Sequence, residues 1–272
     1  MWCFTPNPVL EKKFDEKTGR CFCSKGGKGR NVARQLQQWG IPTISVSVSS
    51  SSILGTDPGY DPKAGAGERQ GWAWVREGIE RIDFFTEDLK VGSMELRKIR
   101  EYWMRNLKSG DWWVVAGSSA TGWPRGWWKK LIGDLQKKGV TVLVDSRGAL
   151  LREAVEAGAD WIKCNLEEAE ETTGKKGVER CIRNLIGSGT TGAVVTLGKE
   201  GLVAEVNGTK FSIPAPTVKV KDPTGSGDVV TAALIYGEIR GWTTDKTLRI
   251  AAGVGAWKVS QGGDVAKVCL RD

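Results

Sequence analysis

The glycine-rich stretch Asp222-Pro-Thr-Gly-Ser-Gly-Asp228 ends in an acid and runs directly into apolar residues. Glycine has no Cβ, so Gly225 and Gly227 let the backbone bend tightly and approach a ligand closely. The N–H groups of 225–228 would lie at the positive end of a helix, which favours a bound anion such as a phosphate group. Asp228 could accept a proton from an attacking hydroxyl. The alternative is that Asp228 only caps a helix after a surface turn.

A second glycine-rich stretch, Gly26-Gly-Lys-Gly-Arg-Asn31, precedes a second predicted helix. Apolar residues recur at helical spacing over 32–39, and Gly40 is a typical helix end. Lys28 and Asn31 could therefore reach a ligand from the start of this helix. The alternative is a flexible basic turn that binds nothing.

The elements that must position these loops follow from the apolar pattern. Strands and helices alternate from residue 112 onward, which indicates a parallel sheet covered by helices on both faces. Strands are predicted over 2–5, 12–24 (a hairpin), 43–48, 72–75, 79–85, 112–116, 140–144, 161–162, 193–197 and 202–213 (a hairpin), with a loop over 49–68. Helices are predicted over 32–39, 94–107, 127–138, 149–157, 166–173, 178–186, 227–240 and 244–260.

Ligands of such sheets bind at the carboxyl ends of the strands. Five stretches with polar or glycine residues follow predicted strands, so we expect them to share one edge of the sheet. They are 117–122, 145–148, 163–168, 198–201 and 222–228.

Composition excludes several classes of function. The 272 residues suffice for one large or two small domains, and no apolar run reaches membrane-spanning length. The start has no basic region leading into an apolar stretch, so we expect no signal peptide and a cytoplasmic location. The net charge of +8 comes from scattered lysines and arginines, so we expect neither nucleic acid nor a membrane as a partner. Without histidine or a C-x-x-C pair, a zinc site and Ser-His-Asp chemistry are not expected, and a carboxylate, Lys, Tyr or Cys must serve as any base.

Two further motifs lie between the glycine-rich stretches. Lys163-Cys-Asn-Leu-Glu-Glu168 is similar to K-P-N-x-x-E, and Thr196-Leu-Gly-Lys-Glu-Gly201 to S/T-L-G-x-x-G. In this order, the four motifs resemble those of the ribokinase-like carbohydrate kinases of the phosphofructokinase B family, over nearly the whole chain. Asn7-Pro8 and the Asp145-Ser146 turn look most like 1-phosphofructokinases and tagatose-6-phosphate kinases.

The resemblance implies an α/β fold over 1–272, namely a single ribokinase-like domain with three α/β/α layers, a mostly parallel sheet and a shortened β lid near 10–25 and 69–88. It implies an ATP-dependent kinase that needs Mg²⁺. Relatives often dimerise through the lid, so a homodimer is a further expectation.

The resemblance also implies roles for individual residues. Asp228 would be the catalytic base, with Gly225, Ser226 and Gly227 around the transferred phosphate. ATP would be bound by Lys163, Asn165, Thr196, Gly198 and Gly201, and Mg²⁺ by Asn165 and Glu168. The sugar would be bound by Glu11, Gly27, Lys28, Asn31 and Arg69.

The acceptor half departs from the family pattern. Glu11 stands where the family has an aspartate. In one alignment, Arg69 lies one position before the family's phosphate-binding arginine. In another, Gln70 and Trp72 occupy the family's arginine and asparagine positions. A phosphorylated ketohexose is the expected acceptor. A kinase for an unphosphorylated sugar or nucleoside, and a non-catalytic sugar- or nucleotide-binding relative, are the alternatives.

Overall fold

The computed structural model describes residues 1–15, 20–48, 55–56, 69–76, 80–85, 90–261 and 270, and for 10–25 and 55–85 it describes the backbone alone. The strands are β1 Trp2–Thr5, β2 Val9–Asp15, β3 Arg20–Gly26, β4 Ile44–Ser47, β5 Gly55–Thr56, β6 Arg69–Arg76, β7 Glu80–Phe85, β8 Trp112–Ala116, β9 Thr141–Asp145, β10 Trp161–Asn165, β11 Gly192–Thr196, β12 Leu202–Val206 and β13 Thr209–Ile213. The helices are α1 Lys28–Gln38, α2 Ser93–Asn106, α3 Trp127–Lys137, α4 Gly148–Ala157, α5 Leu166–Thr173, α6 Val178–Leu185, α7 Ser226–Ile239 and α8 Thr244–Gln261. A short 3₁₀ helix covers Gly198–Glu200.

The main sheet has nine strands in the described part of the chain, in the order β13-β12-β11-β10-β9-β8-β1-β4-β5. The six central strands, from β11 to β4, are parallel, and the outer strands are antiparallel. The predicted, mostly parallel sheet is therefore confirmed. None of the helices that the structure describes is long and apolar enough to cross a membrane.

Alternate residues of the central strands of the main sheet enter two separate cores. Trp113 and Val115 of β8 pack with α2 to α6 on one face, whereas Val114 packs with α1, α7 and α8 on the other. A strand buried on both faces has no polar side to present, which explains the nearly unbroken apolar runs in the sequence. The predicted three-layer architecture follows from this division.

A second sheet has the order β3-β2-β6-β7 and forms the predicted small β lid. The hairpin predicted over 12–24 is present as β2 and β3, and the strands predicted over 72–85 are present as β6 and β7. The turns at 16–19 and 77–79 lie outside the described residues. The backbone register pairs Val9 with Gly26 on one side and with Arg69 on the other.

Several elements differ from their predicted bounds, and α1, for example, begins at Lys28 rather than at residue 32. The structure has β5 inside the predicted loop 49–68, most of which lies outside the described residues. β10 has five residues rather than the two predicted, because the charge of Lys163 is buried in an ion pair and does not end the strand. The prediction that all five polar stretches follow strands is wrong for 222–228, because irregular chain separates it from the end of β13 at Ile213.

Candidate active site

The first turn of α7 offers backbone donors to an anion. Gly225 caps the helix in the left-handed region with φ 75°, and the N–H of Ser226 donates to the carbonyl of Pro223 at 3.2 Å. The N–H groups of Gly227 and Asp228 have no backbone acceptor in the part of the chain that the structure describes. These donors lie at the positive end of a 14-residue helix, which favours a negatively charged ligand.

Asp228 is buried beside these donors, with a relative exposure of 5%. The side-chain amide of Asn31 donates to Asp228 Oδ2 at 2.7 Å, which joins the start of α1 to the start of α7. Burial raises the pKa of Asp228 to about 6, although the charge of Lys28 acts in the opposite direction. Its carboxylate is therefore still mostly ionised at neutral pH and more basic than an ordinary aspartate, as a general base should be.

A second buried acid, Asp145, lies at the end of β9. Its Oδ2 accepts hydrogen bonds from Lys163 at 3.1 Å and from Thr231 at 2.6 Å, and its Oδ1 accepts one from Lys28 at 3.4 Å. Burial alone would raise the pKa of Asp145, but Lys163, Lys28 and the Thr231 hydroxyl lower it below its ordinary value. Asp145 is therefore a fully buried carboxylate held in its ionised form.

Lys28 connects this acid to the start of α5. Its Nζ lies 3.4 Å from Asp145 and 3.5 Å from Glu168 Oε1. The pKa of Lys28 is raised, first by Asp145 and further by Glu168 and Asp228. The Lys28 ammonium group therefore offsets the negative charges of three carboxylates, those of Asp145 in β9, Glu168 in α5 and Asp228 in α7.

Asn165 and Glu168 form a capping box at the start of α5. The N–H of Glu168 donates to Asn165 Oδ1 at 2.8 Å, and the N–H of Asn165 donates to Glu168 Oε2 at 2.9 Å. This arrangement satisfies two helix donors that would otherwise lack partners. The two residues lie side by side, and Glu168 Oε1 remains directed to Lys28.

The residues predicted to bind the nucleotide line the ends of β10 and β11. Thr196 is the register partner of Asn165, and its hydroxyl donates to the carbonyl of Cys164 at 3.4 Å. A Cβ at Gly198 would enter open space, whereas one at Gly201 would lie 2.0 Å from the carbonyl of Ile213. Packing against the end of β13 therefore explains the glycine at 201.

On the acceptor side, the structure describes Gly27, Lys28 and Asn31 fully. Gly27 has φ 125°, and a Cβ there would lie 2.5 Å from Thr5 Cγ2, so only glycine fits. Glu11 and Arg69 are described by their backbone alone: Glu11 lies inside β2, and Arg69 begins β6.

The sequence analysis places the stretch 145–148 at the ligand-binding edge but gives Asp145 no role, and it does not single out Thr231. Asp145 had a signal, since an acid directly follows the apolar strand residues 141–144. Thr231 had none, because it lies in an apolar helix where a threonine is unremarkable. Thr231 and Lys163 both donate to Oδ2 of Asp145. This buried carboxylate explains why the Lys163 side chain lies inside the protein, with a relative exposure of 3%.

Comparison with known proteins identifies the family. The pfkB family carbohydrate kinase model matches residues 87–269, which is more than half of the chain. The fold is similar to that of phosphofructokinase-2 from Escherichia coli, with a TM-score of 0.75 and 19% identity, over 96% of this chain and 93% of that one. It is also similar to a possible 1-phosphofructokinase from Thermotoga maritima, with a TM-score of 0.76 and 17% identity, over 96% and 93% of the two chains.

A nucleoside kinase from Burkholderia thailandensis, in complex with inosine, has a TM-score of 0.69 and 18% identity, over 98% of this chain and 93% of that one. At these identities the solved structures support the ribokinase-like fold, and the match over 87–269 supports the family. The chain therefore belongs to the pfkB family of carbohydrate kinases and is an ATP-dependent sugar kinase.

Proposed function

We propose that this chain transfers the terminal phosphoryl group of ATP to a hydroxyl of a phosphorylated ketohexose, as a 1-phosphofructokinase or a tagatose-6-phosphate kinase does. The observation that carries the proposal is the 2.7 Å hydrogen bond between Asn31 and Asp228. It joins the start of α1, which would bind the acceptor, to the start of α7, which would bind the phosphate. The attacking hydroxyl and the phosphoryl group would therefore meet beside one carboxylate.

Asp228 would take the proton of the acceptor hydroxyl while that oxygen forms its bond to the terminal phosphorus and the bond to ADP breaks. The Asn31 amide holds Oδ2 of the carboxylate, which leaves Oδ1 for the hydroxyl. A general base of this kind contributes roughly 10²–10⁴ to the rate.

The turn before α7 would hold the phosphoryl group as its charge redistributes. Gly225 and Ser226 shape the turn, and the N–H groups of Gly227 and Asp228 would donate to the phosphate oxygens. Lys163 lies against this turn, since a Cβ at Gly227 would be 3.0 Å from its Nζ. Asn165, Thr196 and Gly198 would line the nucleotide at the strand ends, with Gly201 fixing the turn behind them.

The donor atoms fit Mg²⁺. Asp145 and Glu168 already share one cation, the Lys28 ammonium. No cluster of three or more acids, cysteines or histidines suited to a metal occurs among the described residues, but Mg²⁺ in kinases is usually bound through one or two carboxylates, water and substrate phosphates. Glu168 and Asn165 would hold it, through water. When bound, it would neutralise part of the charge on the phosphates.

The acceptor phosphate would be bound next to residues 26–31, where β3 ends and α1 begins. In the backbone register of the lid, Arg69 pairs with Val9 and Val9 pairs with Gly26, so an arginine lies two strands away from the start of this segment. Arginine binds phosphate through paired N–H groups that other side chains do not reproduce well. Two of the similar folds belong to proteins named as phosphofructokinases, which agrees with a sugar phosphate as acceptor.

An unphosphorylated acceptor is the second candidate. The similarity to a nucleoside kinase favours it, as do Glu11 in place of an aspartate and Gln70 and Trp72 near the phosphate-binding segment.

Dimerisation through the lid remains a prediction that sedimentation of the purified chain would test.

The test is ADP release with Mg²⁺ and ATP against fructose 1-phosphate, fructose 6-phosphate, tagatose 6-phosphate, fructose, ribose and a nucleoside. We expect turnover of a phosphosugar, and Arg69→Ala should raise its KM more than that of the unphosphorylated sugar. Arg76→Ala, at the other end of the same strand, is the matched control. Turnover confined to neutral acceptors would contradict the proposed acceptor, and no turnover of any compound would favour a binding role.

A further inference from the structure

Lys258, near the end of α8, is a buried cation to which the proposed mechanism gives no role. Its relative exposure is 1%, and its Nζ donates to the backbone carbonyl of Asp222 at 3.4 Å. Burying an ammonium group is costly unless it is bonded, and the Asp222 carbonyl supplies one such bond. Asp222 is the first residue of the glycine-rich stretch that leads into α7.

The same turn of α8 also holds the N–H side of Asp222. The carbonyl of Val259 accepts from the N–H of Lys221 at 2.9 Å and from the N–H of Asp222 at 3.2 Å. Val259 lies in the last turn of α8, where helix carbonyls lack intrahelical partners. Two consecutive residues of α8 therefore fix the carbonyl and the N–H of one loop residue.

The loop transmits this constraint to the phosphate site. Asp222 Oδ1 accepts from the N–H of Thr224 at 2.9 Å, which shapes the turn that ends at Gly225. α8 also packs closely on α7, because a Cβ at Gly255 would lie 2.8 Å from Val230. The orientation of the N–H groups of Gly227 and Asp228 thus depends on a loop that α8 holds.

We propose that Lys258 is a positioning residue for phosphoryl transfer: its buried ammonium holds the Asp222 carbonyl and so keeps the loop 222–225 in the shape that aims the α7 donors. This inference rests on the proposed function of α7. Lys258 does not contact the reacting groups, so its loss should act on kcat at saturating ATP rather than on the binding of ATP.

The experiment compares Lys258→Met with Lys138→Met. Lys138 is a matched control, because its Nζ also donates to backbone carbonyls, those of Met104 at 2.5 Å and Leu107 at 2.7 Å, in another part of the molecule. For Lys258→Met we expect kcat to fall about tenfold to a hundredfold, since small misplacements of catalytic groups have effects of this size. The KM for ATP should change less than about threefold, and Lys138→Met should leave both values nearly unchanged.

Hydrogen exchange of the 222–229 amides provides a second readout that needs no acceptor. We expect faster exchange there in Lys258→Met and unchanged exchange in β8 and β9. Unchanged exchange together with a kcat within about twofold of the original would overturn the inference. If the original chain has no kinase activity, the proposed function fails, and the exchange result alone decides whether Lys258 holds the loop. Lys258→Gln, which keeps an N–H donor without the charge, replaces the methionine variant if that one does not fold.

Discussion

Two buried carboxyl groups of the site have pKa values shifted in opposite directions. Among the described residues Asp228 has one side-chain donor, the Asn31 amide, and burial raises its pKa to about 6. Asp145 is as deeply buried, but two ammonium groups and a hydroxyl lower its pKa. Their surroundings therefore suit them for different work, Asp228 to exchange a proton and Asp145 to remain charged.

The pH dependence of turnover should report on Asp228. Because its pKa is raised to about 6, protonation should reduce kcat/KM as the pH falls through that value. Lys28 lowers this pKa, so Lys28→Met should move the acid limb of the pH profile to higher pH. The control is Lys246→Met, which removes an exposed charge on α8. A limb that stays in place or moves to lower pH in Lys28→Met would contradict the assignment.

Replacing the base should separate catalysis from binding. Asp228→Asn keeps the shape of the side chain but cannot accept the proton, so kcat should fall by roughly 10²–10⁴. ATP affinity, measured by calorimetry, should remain nearly the same, because the backbone donors of α7 are retained. Asp245→Asn, at an exposed ion pair with Arg249, is the control. An Asp228→Asn enzyme that keeps most of its rate would rule out this base.

At the scale of elements, α1 is pressed against the end of β1. A Cβ at Gly29 would lie 2.5 Å from the carbonyl oxygen of Phe4 and 2.7 Å from Thr5 Oγ1. Gly29→Ala should therefore destabilise the fold by about 1–3 kcal/mol, as overpacked sites do, and raise the acceptor KM by displacing Asn31. Gly133→Ala, in α3 with nothing within 4 Å of the added Cβ, should be neutral or stabilising. Urea denaturation and acceptor titration measure both effects, and equal results for the two variants would refute the prediction.

A carboxylate from α4 caps the start of α3. Glu153 accepts from the N–H groups of Gly126 at 2.7 Å, Trp128 at 2.9 Å and Lys129 at 3.2 Å. Glu153→Gln replaces one acceptor by a donor, so the free energy of unfolding should fall by about 1–3 kcal/mol. Within the part of the chain that the structure describes, Glu156, one helical turn away, has only an exposed ion pair with Lys129, and Glu156→Gln should cost less than about 1 kcal/mol. Similar losses for both variants in urea denaturation would argue against the cap.

At the scale of the whole molecule, the sequence is sufficient to predict the three layers of the fold, but it is not sufficient to predict which charged side chains are buried. Apolar runs identify β8 and β9 because both faces of each strand are buried. Apolar runs cannot predict that Lys163 is buried or that Thr231 belongs to the site, because both residues are held by contacts with Asp145. Thr231 lies 86 positions from Asp145 along the chain. Lys258 likewise looks like a surface lysine until α8 is set against the loop at Asp222. The order of the motifs identifies Asn31 and Asp228 as candidate site residues, but only the fold shows that their side chains are hydrogen-bonded to each other.

The hydrogen bond between Asn31 and Asp228 spans 197 positions of the chain. α1 also shares its core with α7, through residues such as Val32 and Leu36. During synthesis at roughly 5–20 residues per second, α1 would wait about 10–40 s for α7 to emerge. The apolar face of α1 therefore stays uncovered by α7 for that interval, and a chain released by a ribosome that stalls before residue 226 could complete neither the core that α1 shares with α7 nor the active site.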